Sequence, residues 1–175
     1  MKQQKSPLNQ IRGMRNNAQG HIFENNIEKA CQIYRAQGKA TVDKTPEPFR
    51  VLHKNPDGVF TGRFTALAQP DFQGTLNNGQ SIVFEAKYTM SDRIQRNVLT
   101  QEQQETLEAH HLMGAQTAVV CGIQSDFFRV PWVIWRDMKQ IYGRQYLQAT
   151  DIEQYRIKFD GGVRFLDYIH SGGAK

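Results

Sequence analysis

Apolar residues recur along the chain with two different periods, and this pattern predicts where helices and strands lie. Between Gly20 and Gln37 the apolar residues stand three or four positions apart, the spacing of one helix face; they are Phe23, Ile27, Ala30 and Tyr34. The same spacing predicts a second helix from Thr100 to Met113 and a third from Val133 to Tyr142.

Shorter runs, either continuously apolar or alternating, predict strands. These strands run from Ala40 to Lys44, Gln116 to Ile123, Phe127 to Trp132 and Tyr155 to Phe159. The segment from Tyr88 to Asn97 is polar and basic, with Arg93 and Arg96, so it is predicted to be a loop. The segment from Val163 to Ile169 is predicted to close the domain as a small helix or turn.

Residues Phe49 to Ala68 alternate like a long hairpin that turns at Asn55-Pro56-Asp57-Gly58. Bases and aromatic residues mix near its tip: Lys54, Phe60, Arg63 and Phe64. One interpretation is an ordinary amphipathic hairpin packed on the core. The other is a projection that enters nucleic acid, with bases on phosphates and an apolar wedge against base pairs.

A second hairpin, from Gln69 to Lys87, turns at Asn77-Asn78-Gly79. A three-residue loop with Gly in the left-handed position pairs Phe72 with Phe84, and places Asp71 opposite Glu85. Gln69, Asp71, Glu85 and Lys87 then share one face of the hairpin. A two-residue loop would instead set Asp71 opposite Ala86 and split the two carboxylates between faces.

Opposed carboxylates repel, so a purely structural sheet avoids them. A divalent cation removes the repulsion, and hard oxygen ligands suit Mg²⁺ or Mn²⁺. Lys87 can aim an attacking water or stabilise charge on a phosphate. Pro-Asp followed by Glu-x-Lys is the pattern of the PD-(D/E)XK nucleases; a second acidic-x-Lys match, Asp137-Met138-Lys139, lies in a helical run and is interpreted as a solvated helix face.

The composition fits one domain that handles a polyanion. The chain has 175 residues and a net charge of +5, of which +4 lies within its first twenty residues, which contain no acid; these charges belong to Lys2, Lys5, Arg12 and Arg15. Residues 1–19 are therefore predicted to be a flexible basic arm that binds a polyanion or merely aids solubility. Two isolated cysteines, no apolar span and no signal peptide predict a cytoplasmic protein.

Several motifs together resemble those of the RecU Holliday junction resolvases, in order and spacing, from about Gly20 to the C-terminus. They are Asp71 with Glu85-Ala86-Lys87, the Gly20-x-x-Phe23-Glu24 helix start, Lys44-x-Pro46-x-Pro48, and the Gln103 helix ending in Gly114-Ala115. The resemblance implies an α/β fold with a PD-(D/E)XK core, a mixed β-sheet flanked by helices. It also implies a single nuclease domain over 20–175, a two-fold dimer, and a stalk formed by the insertion at 49–68.

The resemblance also assigns site residues. Asp71 and Glu85 fall on Mg²⁺ ligands, and Lys87 on a lysine that stabilises the transition state; in the expected mechanism the Ala86 carbonyl also holds the metal. Gln103 falls on a glutamine near the metal, with Gln104 as a register alternative; Glu24 matches an acidic position, and Gln69 stands where the family has Thr.

The implied function is Mg²⁺-dependent cutting of four-way DNA junctions in recombination and repair, with a recombinase as a further partner. Basic and aromatic residues are expected to contact the DNA: Lys54, Phe60, Arg63, Phe64, Arg12, Arg15, Arg93 and Arg96. The alternatives are a less selective nuclease acting on flaps or other branched DNA, and a DNA-binding recombination factor that does not cut.

Overall fold

A computed structural model of the protein describes residues 7–46, 49–64 and 69–169; within these, the side chains of 7–17, 49–50 and 63–64 are not described. The α-helices in the described residues are α1 (Pro7–Ala36), α2 (Gln101–Leu112), α3 (Trp132–Arg136) and α4 (Met138–Tyr142), and two short 3-10 helices span Arg96–Val98 and Ala149–Tyr155. The strands are β1 (Ala40–Lys44), β2 (Phe49–Lys54), β3 (Phe60–Phe64), β4 (Phe72–Leu76), β5 (Ser81–Thr89), β6 (Arg93–Gln95), β7 (Gln116–Ile123), β8 (Asp126–Pro131), β9 (Tyr146–Gln148), β10 (Ile157–Phe159) and β11 (Val163–Tyr168).

The centre of the fold is a mixed five-stranded sheet in the order β1-β4-β5-β7-β8. Strands β5 and β7 are parallel, joined through α2, and the other neighbours are antiparallel. A parallel pair needs a crossover connection, which the segment containing α2 provides. The predicted α/β class with a mixed sheet flanked by helices is confirmed.

Each face of the sheet packs against its own apolar core. On one face, α1 buries Phe23, Ile27 and Tyr34 against the strands. On the other face, Leu107 of α2 packs with Trp132 and Trp135 of α3. Burying a large apolar side chain contributes roughly 1.5–3 kcal/mol, so both layers hold the central strands rigidly in place.

The hairpin formed by β4 and β5 has the predicted register, with Phe72 opposite Phe84. Their rings stack with centroids 5.1 Å apart. Gly79 takes a φ of +83°, as the three-residue loop requires. Gly74 is needed for another reason: a Cβ there would lie 2.0 Å from the Thr41 carbonyl oxygen of neighbouring β1.

The first hairpin, β2 with β3, forms a separate two-stranded sheet. Every residue from 51 to 61 is exposed. The turn closes with a hydrogen bond from the Asn55 amide to the Val59 carbonyl, 2.9 Å long. Residues 65–68 at the end of the predicted insertion lie outside the described residues. The hairpin is thus a surface element over 51–61, and neither apolar core includes any of its described side chains, those of residues 51–62.

Four sequence-based expectations about local structure were wrong. Helix α1 begins at Pro7 and not near Gly20, so residues 7–19 of the predicted arm are helical. The predicted loop at 88–97 contains β6, which pairs with β9. The closing segment is strand β11, paired with β10, and not a helix or turn. The predicted third helix is divided into α3 and α4 at Asp137, whose carboxylate pairs with Arg136 and is not simply solvated.

None of the helices in the described part of the chain is both long and apolar enough to span a bilayer.

Candidate active site

Strand β5 carries two of the predicted site residues into contact with a third. Glu85 and Lys87 alternate on β5, and Asp71 lies immediately before β4. The Lys87 ammonium donates to Glu85 Oε2 at 3.1 Å and to Asp71 Oδ2 at 3.3 Å. The three side chains therefore form one ion-paired cluster of two acids and one base.

Asp71 is fixed by the backbone on both sides of it. Its Oδ2 accepts a hydrogen bond from the Ala86 amide at 2.9 Å, and its carbonyl accepts one from the Thr45 amide at 2.9 Å. The second bond ties Asp71 to the end of β1 and the first ties it to β5. An acid held by backbone amides keeps its position without the freedom of a solvated side chain.

Glu85 is completely buried, which is unusual for a carboxylate. Its Oε1 has no hydrogen-bond partner. Burial first, and the negative charge of Asp71 second, raise the pKa of Glu85 from 4.5 to about 8, against the opposing effect of Lys87. The Lys87 ammonium therefore does not fully offset the effect of burial and of Asp71 on the pKa of Glu85.

The charge of Lys87 is maintained by its two partners. Burial lowers the pKa of Lys87, but the charges of Asp71 and Glu85 raise it more, so the net pKa lies above the usual value for lysine. The ammonium is therefore protonated at neutral pH. With two carboxylates and one ammonium, the fully ionised cluster has a net charge of −1.

Helix α2 brings Gln103 onto Glu85 through its N-terminal cap. The Gln103 side-chain oxygen accepts from the Thr100 backbone amide at 3.1 Å, and the Gln103 backbone amide donates to Thr100 Oγ1 at 3.3 Å. This capping box leaves Gln103 Nε2 to donate to Glu85 Oε2 at 2.5 Å. Gln104 donates elsewhere, to the Leu99 carbonyl. Gln103, not Gln104, is the glutamine at the site.

The role predicted for Gln103 as a metal ligand stays a prediction, because its amide oxygen accepts one hydrogen bond from the Thr100 amide and keeps a second lone pair. In the structure the side chain donates to Glu85. The sequence contained a signal for this, because Thr100-x-x-Gln103 is the capping-box pattern at the start of a helix.

Glu24 lies on α1 and does not bond to the cluster. Its carboxylate pairs with Lys44 Nζ at 2.8 Å, and the same ammonium lies 3.6 Å from Glu28. Lys44 is opposite Phe72 in the sheet, next to Asp71 in sequence. The ion pair with Lys44 therefore links Glu24 to the end of β1, beside the site. Among the described contacts, Glu24 makes no direct hydrogen bond to Asp71 or Glu85.

The other predicted residues have other contacts, or their side chains lie outside the described residues. Gln69 is exposed and contributes no hydrogen bond to the cluster. Arg93 stacks on the Tyr146 ring, 5.0 Å from its centroid, and Arg96 borders a cavity of about 240 Å³ with Arg136 and Lys139. The side chains of four further residues lie outside the described ones: Arg12, Arg15, Arg63 and Phe64.

The site presents two carboxylates and neutral oxygens as possible ligands for a cation. Among the described residues, no group of three or more His, Cys, Asp or Glu side chains is arranged around a common metal position. The unpaired Oε1 of Glu85 and the carboxylate of Asp71 are nevertheless hard oxygen donors of the kind that Mg²⁺ prefers. An ion held by one or two carboxylates, with water completing its shell, fits this set.

Comparison with known proteins identifies the family. Residues 18–171 match the family model of RecU, described as Recombination protein U. No curated protein sequence matches the chain significantly. Among solved structures, Hjc, a Holliday junction resolvase of the archaeon Archaeoglobus fulgidus, is similar, with a TM-score of 0.41 and 12% identity over 63% of this chain and 78% of that chain. Because the family model spans nearly the whole chain, the protein belongs to the RecU family of Holliday junction resolvases and is a nuclease of that class.

Proposed function

We propose that the protein resolves four-way DNA junctions by metal-dependent phosphodiester hydrolysis at Asp71, Glu85 and Lys87. The observation that carries this proposal is the fully buried Glu85, which has one unpaired oxygen and contacts a lysine shared with a second acid. An ionised carboxylate is costly to bury. Strongly perturbed carboxylates of this kind concentrate at functional sites, and family membership supports the substrate.

Asp71 and Glu85 would hold Mg²⁺, with Mn²⁺ able to replace it. Both residues offer carboxylate oxygens, and a divalent ion would convert the charge of the fully ionised cluster from −1 to +1. When bound, such an ion makes a coordinated water more acidic and offsets negative charge on a phosphate. Gln103 is expected to keep Glu85 in position through its Nε2 donor.

Lys87 is expected to act on the phosphate side of the reaction. Its ammonium is charged and lies between the two acids. When those acids bind a cation, the ammonium can turn to the attacking water or to a phosphate oxygen. A fixed positive charge placed where negative charge develops lowers the barrier of phosphoryl transfer.

Cutting both strands of a junction needs two sites related by symmetry. A homodimer would supply them, since a four-way junction is itself roughly two-fold. The dimer, a recombinase partner and a cytoplasmic location stay predictions.

The test is a cleavage assay on labelled DNA that compares a four-way junction, a flap and a plain duplex of the same sequence. We expect the junction to be cut in Mg²⁺ or Mn²⁺ and to remain intact in a chelator. Equal cutting of flap and duplex would favour a less selective nuclease. Junction binding without cutting in any divalent ion would favour a DNA-binding recombination factor.

The exposed β2–β3 hairpin is proposed to supply selectivity for branched DNA. Four of its apolar side chains are about half exposed: Val51, Leu52, Val59 and Phe60. Lys54 Nζ lies 5.5 Å from the centroid of the Phe60 ring, so a base and an aromatic share the tip. Such a tip can contact phosphates while its apolar part rests on unstacked bases.

Shortening this hairpin should therefore separate selectivity from stability. Replacing residues Asn55 to Phe60 by a two-residue turn should leave the melting temperature nearly unchanged, because the segment adds no residue to either core. The ratio of junction affinity to duplex affinity should fall sharply, which competition binding would measure. A wild-type ratio in a folded variant would place branch selectivity elsewhere, and a large loss of stability would show that the hairpin is core.

Replacing Gln103 should reduce cleavage without abolishing it. Gln103→Ala removes the donor to Glu85 and one half of the capping box. Loss of a residue that orients a ligand typically lowers activity by about 10–100-fold, and loss of the cap interaction should cost about 1 kcal/mol of stability. The matched control is Gln101→Ala, which removes a surface bond to Glu105 on the same helix and should leave cleavage unchanged. Wild-type cleavage in Gln103→Ala would remove Gln103 from the site.

A further inference from the structure

Two basic side chains, those of Arg96 and Lys139, form no ion pair and no side-chain hydrogen bond with any described residue. The charge of Arg96 acts only at longer range, where it adds to the Arg136 hydrogen bonds that lower the pKa of Asp137. By contrast, Arg136 is offset by two carboxylates, because it donates to Glu108 at 3.1 Å and to Asp137 at 2.9 Å. The charges of Arg96 and Lys139 are therefore available to an anion from outside the chain.

Arg96 and Lys139 line the same cavity of about 240 Å³, between the 3-10 helix that precedes α2 and the junction of α3 with α4. The remaining lining residues are Arg136, Asp137, Gln140 and Gln145. The backbone amide of Arg96 donates to the Gln145 carbonyl at 2.9 Å, which fixes two walls of the cavity relative to each other. Three bases and one acid give the lining a net charge of +2.

This cavity lies on the same side of the central sheet as Glu85, but apart from it. Glu85 alternates with Val83 on β5, so both side chains point to one face of the sheet. Val83 packs in the core that includes Trp135 of α3 and Met138 of α4, the two helices that border the cavity. Among the described contacts, no lining residue bonds to the ion-paired cluster. The cavity therefore lies on the side where DNA must bind for the cluster to act on it.

We propose that this cavity binds a single backbone phosphate of a junction arm, away from the phosphate that is cut, through Arg96 and Lys139. The inference rests on the proposed function, because it takes junction DNA as the ligand. Arginine presents a planar fork of N–H donors that matches phosphate oxygens, and lysine adds a compact positive charge. The exposed amides of Gln140 and Gln145 can donate to further oxygens. A contact of this kind positions the duplex and carries no sequence information.

The direct test is the salt dependence of binding to a plain duplex, measured by fluorescence anisotropy in a chelator for the wild type and for the double variant Arg96→Gln with Lys139→Gln. The logarithm of the affinity falls with the logarithm of the salt concentration, with a slope of about 0.9 per neutralised phosphate. We expect a slope shallower by about 0.9 and an affinity about tenfold lower, because both side chains serve one phosphate. A wild-type slope overturns the proposal. A slope shallower by about 1.8 also overturns it, because the two side chains would then contact separate phosphates.

Two further double variants separate this site from the general effect of charge on a basic protein. Lys29→Gln with Lys158→Gln makes the same change of net charge at exposed positions of α1 and β10, which pack on the opposite face of the sheet, and it should keep the wild-type slope. Arg96→Lys with Lys139→Arg keeps both charges and should also keep the slope, with an affinity within a few fold of wild type. An equally shallow slope in the Lys29 and Lys158 control overturns the proposal. A shallow slope in the charge-preserving variant overturns it too, because the charges of the cavity would then not decide binding.

Because binding is measured in a chelator, this inference and the proposed function can fail separately. If the wild type cuts no junction in any divalent ion but the slopes differ as expected, the cavity binds the DNA backbone in a protein that does not cut. If the wild type cuts junctions while the Arg96 and Lys139 double variant keeps the wild-type slope, the proposed function stands and the phosphate site is excluded.

Discussion

Replacing Glu85 by Gln is expected to abolish cleavage of a four-way junction while the protein stays folded and binds the junction. The variant removes a carboxylate that would hold the cation, and the amide cannot replace its charge. Loss of an essential electrostatic group at such a site lowers the rate by about a thousandfold. Single-turnover cleavage in Mg²⁺ is the measurement, with junction binding followed in a chelator.

The matched control is Glu105→Gln, which makes the same charge change on an exposed position of α2. It should cleave at the wild-type rate and show that charge loss alone has no effect. Asp71→Asn should behave like Glu85→Gln, because the two acids share Lys87. Wild-type cleavage in either active-site variant would exclude this cluster as the catalytic site.

The second large effect concerns the stability of the metal-free protein as the pH changes. The pKa of Glu85 is about 8 in the folded protein and near 4.5 when the chain is unfolded. Between these values the folded state holds a proton that the unfolded state has released, so stability falls as the pH rises. Each pKa unit corresponds to about 1.36 kcal/mol, and the expected loss across this interval is several kcal/mol.

Glu85→Gln should remove this pH dependence, because an amide does not titrate. The measurement is the free energy of unfolding from denaturant titrations of both proteins, from about pH 5 to about pH 8, the interval that the Glu85 pKa defines. Lys87 does not obscure the difference: its raised pKa adds stability that is fully present below the usual lysine value and is lost only above it. The difference between the two proteins should change steadily in favour of the variant; a constant difference contradicts the assigned Glu85 pKa. Adding Mg²⁺ at the upper end should stabilise the wild type selectively.

Local rules were enough to predict the catalytic hairpin. Its turn needs a left-handed residue, which Gly79 supplies, and stacking of Phe72 on Phe84 selects one register. A one-residue slip would move every side chain to the opposite face. The sequence thus brought Asp71, Glu85 and Lys87 together, and the family motifs agreed with that grouping.

Features that depend on a distant partner were predicted poorly. Strand β11 exists because it pairs with β10, and β6 because it pairs with β9, a segment far along the chain. Strand pairing of this kind leaves little trace in a local pattern. The early start of helix α1 at Pro7 did leave one, because Leu8, Ile11, Met14 and Ala18 stand three or four positions apart, but the polar and basic composition of residues 1–19 favoured a flexible arm in the prediction.

The sequence by itself determined the α/β class, the hairpin register and the identity of the three clustered residues, because turn chemistry and period act over a few neighbouring residues. Only the tertiary structure decided how deeply Glu85 is buried and which atom of Gln103 faces it. Burial and pairing depend on elements packed from distant parts of the chain. For that reason the residues of the site could be predicted from the local sequence, whereas their protonation and their partners could not.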